Sequence, residues 1–100
     1  MNTEIIYVTQ RKLRNPDQLP SMMEAIVAGD PLPSVILAEL EDGSIEIQDG
    51  HHRVMAHWLL QVDLKDYILI QSDRGRQRFG KIADLEKRVV LLDYSYDKLS

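Results

Sequence analysis

Residues 48–58 read Gln48-Asp49-Gly50-His51-His52-Arg53-Val54-Met55-Ala56-His57-Trp58 and hold all three histidines of the chain. The residues before them, Ile45-Glu46-Ile47-Gln48, alternate apolar and polar as a strand does. Those after them place Val54, Met55, Trp58 and Leu59 on one stripe, which predicts a helix over about 52–61. Asp49-Gly50 is therefore a strand-to-helix turn. The first N–H groups of a helix have no internal partner, and the helix dipole adds partial positive charge there. Such a turn suits an anion. Gly50 would let the backbone come close to a ligand, Arg53 offers a planar charged fork, and His51 and His52 can donate further bonds. His57 follows Arg53 by one turn on the same face.

Working outward, Glu4-Ile5-Ile6-Tyr7-Val8 reads as a strand, and Gln10 to Asn15 as a basic connector carrying Arg11, Lys12 and Arg14. Leu19, Met22, Met23, Ile26 and Val27 repeat at helical spacing, predicting a helix over 20–28 that stops at Gly29. Val35 to Leu40 is a strand, joined through the Asp42-Gly43 hairpin signal to the strand ending at Gln48. Asp66 to Ile70 is a further strand. Gln71 to Gly80 is a polar loop with Arg74, Arg76 and Arg78 in five residues. Ile82, Leu85, Val89 and Leu92 predict a last helix. The closing residues 93–100 have no period and read as a tail. Met22, Met23 and Trp58 read as core side chains, and Phe79 as a loop anchor or a base-stacking ring.

A chain of 100 residues fits one domain with a core over about 4–92. At 44% hydrophobic and 28% charged it has the make-up of a soluble globular protein. There is no cysteine, which removes disulfides, thiolate metal sites and cysteine nucleophiles. This fits a cytoplasmic protein. No signal peptide or membrane span is expected. The net charge of −4 gives no global case for nucleic-acid binding. A nucleic acid would have to be met through Arg74, Arg76 and Arg78, against the plain reading of that loop as a solvated surface.

Strand, "DGHHRVMAHWLL", strand, preceded by "IIYVTQRKL", "LPSMMEAIVAGD" and "PLPSVILAEL", resembles the ParB amino-terminal domain and sulfiredoxin superfamily. The resemblance spans about residues 4–70. It implies a small α+β domain, with a mixed sheet and hairpin packed against helices. It also implies a nucleotide-phosphate site: Gly50, His52 and Arg53 match the phosphate-binding pattern, and Ser21 a nucleotide-contacting serine. The chain departs from the family in several places. His51 stands where sulfiredoxins carry the catalytic cysteine, so cysteine-dependent sulfinic-acid reduction is excluded. Gln18 replaces a lysine, and His52 the first arginine of the ParB form. The helix–turn–helix domain that follows in ParB proteins has no counterpart in these residues, so sequence-specific DNA partitioning by this chain is not expected.

The resemblance thus implies a nucleotide triphosphate, ATP or CTP, with magnesium arriving alongside it. Asp49 is the first candidate for a general base and His51 the second, in phosphoryl transfer or nucleotide hydrolysis. The plainer reading of Asp49 is a turn residue. A metal held by protein alone, from Asp49, His51, His52 and His57, is disfavoured by their spacing and by the charge of Arg53. The alternative from a different class is a non-enzymatic adaptor or regulatory module that binds a protein or nucleic-acid partner.

Overall fold

The structure, a computed structural model, describes residues 1–97, with side-chain surroundings through Val89. Four strands form one mixed sheet: β1 (Ile6–Tyr7), β2 (Val35–Glu39), β3 (Ile45–Asp49) and β4 (Tyr67–Gln71), in the order β1-β3-β2-β4. Strands β1 and β3 are parallel, β3 and β2 antiparallel, and β2 and β4 parallel. Three helices, α1 (Leu19–Ala28), α2 (His51–Leu60) and α3 (Ile82–Asp97), accompany the sheet. This is the expected small α+β domain with a mixed sheet. No described helix is long and apolar enough to cross a membrane.

The apolar spacing accounts for the core. Ile6, Val35, Leu37, Ile45 and Ile47 come from the strands, Leu19, Val54, Met55, Ile82, Leu85 and Val89 from the helices, and all are buried in one cluster. Met22, Met23, Ile26, Trp58 and Phe79 pack partly buried against it. Burying each large aliphatic side chain contributes about 1.5–3 kcal/mol. Val27 and Leu59, expected on the buried stripes, are instead 75% and 37% exposed. Each lies at the margin of its helix's apolar face, where a helix packed against its neighbour along a narrow stripe leaves a residue outside.

Two boundaries differ from expectation. The first strand is only two residues long, because Thr3–Ile5 forms a 3-10 turn capped by Asn2, whose Oδ1 accepts from the Glu4 N–H at 2.9 Å. Beyond Tyr7, the Val8 N–H donates to the Gly80 carbonyl (2.9 Å) and its carbonyl accepts from Phe79 (3.0 Å), so 79–81 cover that sheet edge. At the other end, the expected tail is helical through Asp97, and residues 98–100 lie outside the described residues.

The loop expected to be solvated is docked on the sheet. Tyr7 and Glu46 are paired neighbours on β1 and β3, and both alternate with core residues, so they share the face away from the helices. Glu46 is fully buried there. Its carboxylate accepts from the Arg76 backbone N–H (2.8 Å) and from Arg78 Nε (3.0 Å). The Arg78 guanidinium also lies 4.2 Å from the centre of the Tyr7 ring. Gly75 permits the approach: a Cβ there would sit 3.3 Å from Leu40 and 3.4 Å from the Glu46 carboxylate.

Candidate functional site

The site grows from the end of β3. The register between β2 and β3 slips by one residue, so that Ile36 faces Asp49 while Leu37 faces Ile47. Gln48 is the unpaired residue of the resulting bulge. Bulges re-aim a strand, and here the strand turns directly into a helix. Gly50 takes φ +108°, a left-handed conformation that an L side chain rarely adopts. An added Cβ would also meet Arg53 Nη2 at 2.9 Å and a Val35 methyl at 3.1 Å. The Val54 N–H closes the first helical bond onto the Gly50 carbonyl at 3.0 Å. Gly50 has no side chain with which to cap the helix. The N–H groups of His51, His52 and Arg53 therefore lack intrahelical acceptors.

Arg53 lies folded back over this turn, with its side chain only 16% exposed. Its Nη2 donates to Asp49 Oδ2 at 3.2 Å and, more weakly, to the Ser34 carbonyl at 3.4 Å. Its Nε is buried without a hydrogen-bond partner. A charged donor left unsatisfied in this way is costly. Asp49 is 69% exposed and contributes the anion that Arg53 now holds.

The two adjacent histidines behave differently from the expectation that they donate to a ligand. Both reach back to the segment between β1 and α1, which includes the basic connector, and accept from its backbone. His51 Nε2 accepts from the Thr9 N–H at 2.9 Å, and His52 Nε2 accepts from the Asn15 N–H at 3.0 Å. An imidazole nitrogen that accepts carries no proton, so both rings are neutral in this arrangement. His51 is 4% exposed. Burial, followed by repulsion from His52 when that ring is protonated and from Arg76, pushes its pKa down from 6.5 to about 4. His52 is shifted down as well, by burial and then by Arg53 and Arg14. The reason is positional. The helix start points His51 into the protein, against the chain leaving β1, where a neutral acceptor satisfies the Thr9 backbone. Thr9 Oγ1 in turn donates to the Ile47 carbonyl at 2.7 Å. Buried and hydrogen-bonded, His51 is poorly placed to serve as a general base. His57 is also engaged, its Nδ1 lying 2.6 Å from the Arg53 carbonyl one turn back.

The remaining expected residues divide. Arg76 comes to the site: its Nη1 donates to the Gln48 carbonyl at 3.2 Å, two residues from Gly50. Arg14 stands near enough to His52 for its charge to depress that ring's pKa. Ser21 is exposed on α1 and its hydroxyl donates to the Gln18 carbonyl at 3.2 Å. Arg74 is exposed, and Arg78 is held by Glu46, Ser44 and Tyr7. Among the described residues, no group of three or more His, Asp or Glu side chains converges as a metal site would require. A concavity of about 350 Å³ lies elsewhere, lined in part by Trp58, Gln61 and Glu86 towards the far end of α2. It lacks the cationic groups of the α2 turn.

Sequence reasoning missed two residues that build this region. Glu46 read as the polar half of an alternating strand. The signal that it is buried was three arginines in five residues, which need an anionic partner if they dock. Thr9 carried no local signal, because its partner is 42 residues away.

No family model, curated protein or solved structure matches the chain.

Proposed function

We propose that the chain is a ParB/sulfiredoxin-like domain that binds the phosphates of a nucleotide at the amino-terminal end of α2. The observation that carries this reading is Arg53, a guanidinium held against Gly50 with its Nε buried and unpartnered beside three helix N–H groups lacking intrahelical acceptors. Arg14 and Arg76 add positive charge around the same turn. Backbone N–H groups of His51, His52 and Arg53, together with the Arg53 fork, are the phosphate donors. The rings of His51 and His52 act one step behind them, holding the connector that carries Arg14. The ligand is a nucleoside triphosphate, ATP or CTP, and magnesium arriving with it would offset the charge of its phosphates. Ser21 contacts it from α1 only if the ligand extends that far.

Asp49 gives the site a two-state character. Its carboxylate holds Arg53 as a phosphate would. An incoming phosphate takes over the guanidinium and releases Asp49 at the mouth of the site. There it would orient water or a hydroxyl acceptor for nucleotide hydrolysis or phosphoryl transfer, a reaction that depends mainly on positioning and charge. Calorimetric titration with ATP, ADP, CTP and GTP, with and without magnesium, tests this. Arg53→Ala is expected to weaken binding by at least about tenfold, the effect of losing a charge-assisted pair of about 1.5–3 kcal/mol. Asp49→Asn should bind as tightly or more tightly while losing any turnover. No binding of any nucleotide by the folded protein would overturn the reading in favour of a non-enzymatic adaptor. The nucleic-acid form of that adaptor would then need a salt-sensitive gel shift abolished by replacing Arg74, Arg76 and Arg78.

A further inference from the structure

The two edges of the sheet are treated differently. Beside β1, residues 79–81 cover the edge. Beside β4, no described strand does so. This outer strand, Tyr67-Ile68-Leu69-Ile70-Gln71, carries no charge and no proline, and Ile68, Leu69 and Ile70 are 52%, 38% and 40% exposed. Natural edge strands are usually blunted by charge, proline, a bulge or a covering segment. Among the described residues, β4 has none of these.

The hydrogen-bond pattern shows which groups are free. The Val35 N–H donates to the Asp66 carbonyl (3.2 Å) and the Ser72 N–H to the Glu39 carbonyl (2.9 Å). With Val35 facing Tyr67 and Glu39 facing Gln71, the even residues 66 to 72 bond inward to β2. The N–H and C=O groups of Tyr67, Leu69 and Gln71 therefore point outward. We infer that this edge pairs with the same edge of a second copy of the chain, antiparallel, about a two-fold axis at Leu69.

Four features select that occupant and that register. Centred on Leu69, all three outward residues find hydrogen-bonded partners, Tyr67 with Gln71 of the other copy and Leu69 with itself. A centre one residue to either side satisfies only two. The same register sets Ile68 opposite Ile70 of the other copy, covering the exposed isoleucines with each other. Just beyond the ladder it brings Lys65 opposite Asp73, and Asp66 diagonal to Arg74, so opposite charges meet at both ends; all four are exposed. Because every contact is made twice by the same patch, the assembly closes at two copies and makes one continuous eight-stranded sheet.

Sedimentation velocity on the full chain, from roughly 5 to 500 µM, tests the inference in the range of weak, small interfaces. The expected result is a monomer–dimer equilibrium that stops at the dimer. Leu69→Pro removes an outward N–H without touching the β2 ladder and should shift the midpoint at least about tenfold upward. Lys65→Glu and Asp73→Lys should each weaken the dimer by about three- to tenfold, since each places like charges opposite one another twice. The double variant should restore it to within about twofold. A chain that stays monomeric throughout, oligomers that grow beyond two, or a double variant no better than the singles would overturn the proposal. Far-ultraviolet circular dichroism on each variant confirms that it is folded.

Discussion

His51 shows how a residue type with familiar chemistry is reassigned by its surroundings. It lies in the segment that resembles a phosphate-binding signature, yet its ring faces inward as a neutral acceptor for Thr9. Its titration has a consequence for stability. The folded-state pKa of about 4 lies below the unfolded value of 6.5. Between those values the unfolded chain binds a proton that the folded chain does not. Stability from this residue is fully present above about pH 6.5 and is lost as pH falls towards 4, by an amount of order 3 kcal/mol. Urea unfolding at pH 7.5, 6, 5 and 4 should show that decline superimposed on the carboxylates' own. In His51→Ala the decline should be shallower, from a baseline about 2–4 kcal/mol lower because the Thr9 N–H loses its acceptor and a cavity opens. A parallel decline in wild type and variant would remove His51 from the account.

At the scale of elements, two connections do most to shape the molecule. The β3–α2 turn depends on Gly50 at φ +108°. Gly50→Ala should cost about 2 kcal/mol through backbone strain and a displaced Arg53, lowering the melting temperature by about 8–16 °C in a domain of this size. An unchanged melting temperature would mean the turn has room to relax. The second connection is the docked loop 72–80, held on the sheet by Glu46. Glu46→Gln keeps the shape but removes the charge that Arg78 answers. Faster trypsin cleavage after Arg74, Arg76 and Arg78 is expected, with a loss of about 1–3 kcal/mol because Arg78 is partly exposed. Equal cleavage rates would show that Phe79 and the covered β1 edge hold the loop without Glu46.

Across the whole molecule, the connector between β1 and α1 acts as a brace. Leu13 is buried, and three backbone groups are held by two helices: Thr9 and Asn15 by the histidines of α2, and the Arg11 carbonyl by Arg88 Nε of α3 at 2.5 Å. The brace keeps Arg14 beside the α2 turn at the cost of ordering a seven-residue segment. Self-association through β4 would add a concentration-dependent contribution, because a dimer that forms only from folded chains stabilises them by mass action. The melting temperature of the wild type should therefore rise with protein concentration, and that of Leu69→Pro should not. A flat response in both would count against the paired sheet.

The sequence by itself determined the elements and their order. Helical and alternating spacing placed α1, α2 and the β2–β3 hairpin within a residue or two, because those patterns follow from backbone geometry and hold wherever the segment packs. It also marked the Asp49-Gly50 turn, since a strand pattern gives way there to a helix pattern across a glycine. Tertiary structure alone decided which side chains face that turn. Arg53 stays at it, Arg76 arrives from a loop 26 residues later in the chain, and the histidine rings turn away to brace the connector. Tertiary structure also buried Glu46 and left the apolar strand β4 at an edge. Those outcomes depend on contacts between segments far apart in sequence. No local period encodes them, because burial and charge pairing are settled only when the layers meet.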